Sequence, residues 1–485
     1  MASTASPAAG PSLFDNQYAK RFAALYEQRQ PIALADYQLV LSNPSLARQL
    51  GLSDEPASLA ALTAATKLPA GAQPLAQKYA GHQFGHYNPY LGDGRGLLLG
   101  EINSQTCGHQ DLHIKGAGVT AFSRHGDGRA VLRSSLREFL ASEAVFHLGI
   151  PSTRALALVK GTQQVQRERL EPQAMLTRVA TTHIRFGHFE HCYHRGLTQP
   201  LTALFDYLKE VIWTDLATAD NLQVFQRTVQ RTAEMVAKWQ VYGFCHGVMN
   251  TDNMSIVGET FDYGPFAFLD DYQPDYICNH TDTQGRYRFD RQPSVALWNL
   301  NCLAMAVSPL IDSDALVAAL KQYEVILNDH YWGLMSQRLG LLGEQPGDDQ
   351  LIAEWLTLLR EQQQDYTQSF VALTQAQSEG YGALLRVLGA SEALQQFWQR
   401  LQQRYQRQED EVGPRQQRMQ QCNPRYILRN YYAQQAISAA EQGDMSLAEA
   451  LYQCLQQPFN YQNDVAQFLA LPPAQAKSIA LSCSS

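Results

Sequence analysis

The chain has 485 residues, 45% hydrophobic and 17% charged, with a formal net charge of −8. That length suffices for two or three sub-structures around a large buried core, and the acidic balance speaks against a nucleic-acid partner, which favours basic surfaces. The eight cysteines, at 107, 192, 245, 278, 302, 422, 454 and 483, include no C-x-x-C pair, which excludes a zinc ribbon and a disulfide-dense secreted scaffold.

In chain order, residues 1–10 are rich in Ala, Ser and Pro and carry no Lys or Arg, unlike a secretory or transit segment. Residues 12–75 read as helices and loops. Between 79 and 128 Gly and His are dense, and short apolar runs at 97–99 and 112–114 read as strands between Gly turns. The stretch 133–149 reads as a helix capped by Ser134 or Ser135, with Glu138 near its first turn and Gly149 and Pro151 ending it. Strand-like runs follow at 155–159 and 175–180. From about 197 the pattern is mainly helical, with a long amphipathic helix over 223–241 and helical segments at 312–339, 349–377 and 381–421. The longest apolar run, 297–311, is broken by Asn299, Asn301 and Pro309 and is too short and polar to span a bilayer. A monomeric cytoplasmic protein without a membrane or nucleic-acid partner is expected.

The most telling stretch is His246-Gly247-Val248-Met249-Asn250-Thr251-Asp252-Asn253, which has the H-x-D-x-x-x-x-N spacing of a kinase catalytic loop. Asn253 stands where a metal ligand belongs, but Val248 replaces the catalytic Asp. Asp262-Tyr263-Gly264 then reads as the metal-binding D-F-G element, so Asn253 and Asp262 are candidate ligands of Mg²⁺, which takes hard oxygen donors. Lys115 ends the 112–114 strand and Glu138 lies on the next helix, the order of the kinase Lys–Glu ion pair. Two Gly-rich turns, Gly92-Asp93-Gly94-Arg95-Gly96 and Gly126-Asp127-Gly128-Arg129, flank Lys115. Their bare backbone suits close approach to phosphates, and Arg95 adds a charge-matched fork. Arg178 and Arg185 supply two further cations, more than a kinase needs there, and would suit a triphosphate tail pointing inward. His183, His188, His191, Cys192 and His194 lack a distinctive zinc spacing, and His246 reads as a buried structural group rather than a base.

Over residues 76–485 the chain resembles the selenoprotein O (SelO/YdiU) family. The carrying motifs are Tyr79-Ala80-Gly81-His82-Gln83-Phe84-Gly85, Leu91-Gly92-Asp93-Gly94-Arg95 and Lys115-Gly116-Ala117-Gly118. They continue as Asp127-Gly128-Arg129-Ala130-Val131-Leu132-Arg133-Ser134-Ser135, the segment 246–265 and Asn423-Pro424-Arg425-Tyr426-Ile427-Leu428-Arg429-Asn430. The resemblance implies an α+β, protein-kinase-like (pseudokinase) bilobal fold with helical extensions. Its expected parts are an N-terminal extension over 1–75, a nucleotide-binding lobe over 76–196, a catalytic lobe over 197–330 and a helical region over 331–485 with a redox-sensitive Cys tail. It implies ATP bound in inverted orientation, with AMP transferred to Ser, Thr or Tyr hydroxyls of protein substrates, and Mn²⁺-dependent UMP transfer as a further activity. It assigns nucleotide contacts to Gly92, Gly94, Arg95, Lys115, Asp127, Gly128, Arg178, Arg185 and Asp262, Mg²⁺ or Mn²⁺ to Asn253 and Asp262, and the proton acceptor's role to Asp252. The family's selenocysteine position matches Cys483, so a Cys278–Cys483 disulfide is implied as a redox brake. One departure is Val119-Thr120-Ala121-Phe122, where the family pattern runs Arg-Thr-Pro-aromatic. The rival readings are a divergent phosphotransferase and a catalytically inactive ATP-binding scaffold.

Overall fold

The structure, a computed structural model, describes residues 13–462 and 465–478. It is α+β and divides into two compact units. One comprises the described residues up to Gly81, with Tyr87–Ser135 and Arg154–Ala219; the other comprises His82–His86, Leu136–Thr153 and the described residues from Asp220 onward.

The first unit is built on a nine-stranded sheet. Its strands are β1 (Tyr26–Gln28), β2 (Gln38–Ser42), β3 (Leu75–Gln83), β4 (His86–Gly92), β5 (Gly96–Ser104), β6 (Gly108–Lys115), β7 (Ala130–Val131), β8 (Arg154–Gln166) and β9 (Leu170–Ala180). The order is β1-β3-β5-β6-β9-β8-β2, with β4 added to β3 and β7 to β9. The hairpin β5–β6 runs in antiparallel register from Gly96 opposite Lys115 to Ser104 opposite Gly108. Leu97, Leu99, Leu112, Ile114, Leu156, Val159, Met175 and Val179 form its buried core with Leu46, Leu59 and Leu62 from the helices Pro44–Gln49 and Pro56–Thr63. Alternating strand residues share one sheet face, which is how short apolar runs of this kind become a core. The expectation of helices and loops over 12–75 is corrected by β1 and β2. Each is short and owes its strand geometry to a distant partner: β1 pairs with β3, and Leu39 on β2 lies opposite Val159 on β8.

The helix Leu132–His147 starts directly after β7, so Ser134 and Ser135 lie within its first turn and are not the caps expected. In the second unit the long helix Asn221–Tyr242 has clear stop signals at both ends. Asp220 and Gln223 form a capping box, and Gly243 closes the helix in the left-handed region at φ 70°. It leads into β10 (Phe244–Cys245), paired antiparallel with β11 (Ala267–Phe268). The expected helical segments 349–377 and 381–421 are each subdivided, into Asp348–Glu361 and Tyr366–Glu379, and into Tyr381–Leu388, Glu392–Gln406 and Val412–Cys422. Asp365 makes the first of these breaks by accepting from Gln368 N at 2.7 Å as an N-cap.

The motif 423–430 holds these helices together. Asn423 accepts from Arg338 Nε at 2.8 Å and donates to Arg338 O at 2.8 Å, while Arg429 forks onto Asp365 at 2.8 and 3.0 Å and also meets Asp270. A buried guanidinium paired bidentately keeps its charge satisfied away from water. Among the described residues no helix is long and apolar enough to cross a membrane.

Candidate active site

In the first unit the two Gly-rich turns come together. Gly92, Gly94, Arg95, Asp127 and Gly128 line one cavity of about 570 Å³ with Phe122, Ser123, Arg124, His125, Gly126, Arg129, Gln166 and Arg167, a volume within the usual range for small-molecule sites. Close chain packing demands glycine here. A Cβ at Gly92 would lie 2.4 Å from the Phe122 ring, and one at Gly128, where φ is 69°, would lie 2.1 Å from the Gly118 carbonyl carbon. Gly118 N donates to Gly128 O at 3.1 Å and Gly116 N to Arg95 O at 2.6 Å, which ties both turns to the end of β6.

Asp93, between the glycines, is the pin that sequence reasoning missed. It is buried, accepts from Gln77 N at 3.1 Å and Tyr79 Oη at 3.3 Å, and lies 3.4 Å from His113 Nε2. Burial pushes its carboxyl up, but hydrogen bonding and charge from His113, with the charge of Arg185, hold it below the ordinary value. Asp127 is more exposed and is gripped by both Nη atoms of Arg167 at 2.8 and 2.9 Å, which also lowers its pKa.

Lys115, Arg178 and Arg185 are not among the lining residues of that cavity. All three are buried: Lys115 closes β6, Arg178 lies on β9 opposite His113, and Arg185 stands before the helix Phe186–His194 with its guanidinium 4.4 Å from the centre of the Tyr79 ring. His188 Nδ1 accepts from Arg185 N at 3.1 Å, and burial together with the Arg185 charge pushes His188 down to about 3. Among the described residues, His183, His188, His191, Cys192 and His194 do not form a metal-ligating group.

In the second unit the segment 246–253 is held from several sides. His246 is buried, stacks on Trp239, donates its backbone N–H to Gln292 Oε1 at 2.8 Å, and donates through Nε2 to Phe261 O at 3.0 Å. Burial lowers its pKa, so it stays neutral and serves as the structural group expected. The Nε2 bond also ties the loop to the strand of chain leading into Asp262. Val248 is buried. Asn279 and Asn299 donate to Gly247 O and Met249 O at 3.1 and 3.0 Å.

Thr251–Asn253 forms one 3₁₀ turn. Asn253 donates through Nδ2 to Val248 O at 3.0 Å, which fixes the amide and turns Oδ1 into its remaining ligand atom. Asp252 is buried and accepts from Gln83 Nε2 at 3.2 Å. The neighbouring residues of the segment 82–86 also dock on this loop: His82 N donates to Thr251 Oγ1 at 2.6 Å and Phe84 N to Asn250 Oδ1 at 3.2 Å.

Asp262 adopts φ 58°, a left-handed conformation that costs a non-glycine residue and gathers at functional positions. The turn after it is gripped by Arg137, which the sequence did not single out. Arg137 is buried, donates to Gly264 O at 3.3 Å and Phe266 O at 3.4 Å, and lies 5.0 Å from the centre of the Phe266 ring. Tyr263 is buried and bonded to Ser152, and burial raises its pKa well above the ordinary phenol value, with Glu138 adding to the shift. Asn253 Oδ1 and the Asp262 carboxylate are the hard oxygen donors that Mg²⁺ or Mn²⁺ takes. Cys278 is buried with Sγ 3.4 Å from Cys245 Sγ; Cys483 lies outside the described residues.

A family model described as "Protein adenylyltransferase SelO" matches residues 12–456. The chain is 47% identical over 483 residues to a protein of Vibrio vulnificus (strain YJ016) named "Protein nucleotidyltransferase YdiU", covering 97% of this chain and 98% of that one. It is 48% identical over 479 residues to the protein of that name from Vibrio cholerae, covering 96% of this chain and 98% of the relative. A relative of the same name from Yersinia pseudotuberculosis serotype O:1b is 46% identical over 479 residues, covering 97% and 99%.

Proposed function

The chain belongs to the protein adenylyltransferase SelO family, and from that premise we propose that it is a nucleotidyltransferase that moves AMP from ATP onto Ser, Thr or Tyr hydroxyls of other proteins. The observation that carries this reading is the make-up of the 246–264 segment. It keeps the oxygen donors Asn253 and Asp262, buries Val248 where a kinase has its Asp, and holds a different carboxylate, Asp252, through Gln83.

The hydroxyl oxygen of the acceptor attacks the α-phosphorus. The bond from that phosphorus to the α,β-bridging oxygen breaks, pyrophosphate leaves, and Asp252 takes the hydroxyl proton. A divalent ion, when bound, neutralises charge on the phosphates, and Asn253 and Asp262 hold it there. Gly92, Gly94, Arg95, Asp127 and Gly128 bind the nucleotide in the cavity they line, with Lys115, Arg178 and Arg185 supplying charge for an inverted triphosphate. A kinase-like bilobal fold accommodates these roles. What supports it is the order of an antiparallel sheet, a strand ending in Lys115, a helix bearing Glu138 and then the 246–264 segment. UMP transfer with Mn²⁺ is the same displacement on another nucleotide. The enzyme acts as a monomer in the bacterial cytoplasm.

ATP labelled at either phosphorus tests the reading. Label entering protein from the α position alone is the expected result. Transfer from the γ position alone identifies a phosphotransferase, and ATP binding without any labelled product identifies an inactive scaffold.

A further inference from the structure

The hairpin β5–β6 sets two carboxylates against each other. Glu101 and Asp111 are direct cross-strand partners, and His109 lies two residues from Asp111, on the same face of β6. Like charges placed opposite each other in a sheet are destabilising unless something neutralises them. Both acids are buried, each 1% exposed.

Each carboxylate has one oxygen engaged and one without a hydrogen-bond partner. Glu101 Oε1 accepts from Tyr18 N, and Asp111 Oδ2 accepts from His183 N at 2.6 Å. Glu101 Oε2 and Asp111 Oδ1 are buried and unpartnered. A ligand atom from each of Glu101, His109 and Asp111 lies within 4.8 Å of the other two.

His109 Nδ1 donates to Thr181 O at 3.0 Å, and its Nε2 accepts from the buried Tyr207 hydroxyl at 3.3 Å, a contact an ion would displace. A backbone carbonyl fixing the tautomer of a ligating imidazole is a recurrent support of metal sites. An ion bonded at about 2.1 Å spaces its ligands about 3.0–4.2 Å apart, so small side-chain rotations would close this set.

We propose that Glu101, His109 and Asp111 form a binding site for a divalent transition-metal ion, separate from the Asn253 and Asp262 oxygens. Two carboxylate oxygens and one imidazole nitrogen suit Mn²⁺, Fe²⁺ or Zn²⁺ better than Mg²⁺ or Ca²⁺. The ion offsets the repulsion between two buried carboxylates that stand opposite each other in the hairpin. It staples the far part of the hairpin whose other end carries Lys115, roughly 13 Å along β6 at about 3.3 Å per residue. His109 is half-buried and gives the entry side.

The test uses the full-length, nucleotide-free protein loaded with MnCl₂ and desalted. The wild type is expected to retain one more equivalent of manganese than His109→Gln, and its bound Mn²⁺ is expected to show the ¹⁴N coupling of an imidazole ligand by electron–nuclear resonance. The Asn253 and Asp262 side-chain oxygens cannot give that signal. Equal manganese in a folded His109→Gln variant, or manganese bound without nitrogen coupling, overturns the proposal. Should His109→Gln fail to fold, the coupling in the wild type decides alone.

Discussion

Replacing Gly128 by Ala tests whether the tight crossing of the two Gly-rich turns shapes the cavity proposed to hold the nucleotide. The new methyl would sit 2.1 Å from the Gly118 carbonyl carbon and 2.3 Å from Val119 N. Those are backbone atoms, so no side-chain rotation relieves the clash. Alanine at a left-handed φ costs about 1–2 kcal/mol, and overpacking a fitted contact adds about 1–3 kcal/mol. The combined cost of about 2–5 kcal/mol is relieved most directly by parting the crossing, which lengthens the 3.1 Å bond from Gly118 N to Gly128 O. If the cost falls on the binding-competent state, ATP affinity drops by about 30- to several-thousand-fold. Isothermal titration with ATP, beside thermal unfolding, reads both ways in which the cost can appear. The comparison is Gly126→Ala in the same turn, where the nearest atom to an added Cβ is Ser123 O at 3.1 Å and φ is not left-handed; its loss of affinity should be smaller than that of Gly128→Ala. Wild-type affinity and an unshifted melting temperature in Gly128→Ala would refute the argument that this crossing builds the cavity.

Asp252→Ala is expected to lose about 10²–10⁴-fold in turnover, the usual worth of a general base, while still binding ATP; undiminished α-label transfer removes Asp252 from the chemistry. Arg137→Leu removes two long charge-assisted hydrogen bonds behind the Asp262 turn, together worth about 1.5–3 kcal/mol. Turnover should fall about 10- to 100-fold, with half-activation shifted to higher Mg²⁺ or Mn²⁺; an unchanged metal requirement would show that the turn holds its shape unaided. His188 gives a pH signature. Its folded pKa of about 3 lies below the ordinary 6.5, so below pH 6.5 the unfolded chain takes up a proton that the native state refuses, and stability falls with pH. At about 1.4 kcal/mol per unit, the loss from this group between pH 6.5 and 5 is about 2 kcal/mol. Urea titrations across that range should show a shallower slope in His188→Gln; an identical slope excludes His188 as its source.

What could be read from the sequence was local. The kinase-like spacing of His246, Asn253 and Asp262 is written in consecutive residues, and the long helix before it carries its own cap signals, Asp220 with Gln223 and Gly243. What was missed depends on pairing between distant segments. β1 and β2 are strands because β3 and β8 lie beside them. Asp93 reads in the sequence only as a residue of a Gly-rich turn, and it is the fold that brings His113, Tyr79 and Gln77 to its carboxylate. Arg137 was one more helix residue, and only the fold brings the carbonyls of Gly264 and Phe266 to its guanidinium. Glu101 and Asp111 meet through hairpin register; the x-His-x-Asp alternation at 109 and 111 on one strand was the available hint. The serines at 134 and 135 mislead for the converse reason: their capping propensity is overridden by a strand that runs straight into the helix.

The backward-folded φ of Asp262 narrows the vocabulary open to that position. Asparagine and aspartate are the side-chain-bearing residues that most readily adopt such a conformation, because their short polar groups satisfy nearby backbone. Exchanging Asp262 for Asn therefore deletes a negative charge while sparing the bend, whereas Glu would keep the charge but strain the bend, and Ala would perturb both at once. Charge and shape at this corner are thus separable by a single atom's change, and the amide variant is the one whose phenotype speaks of electrostatics alone.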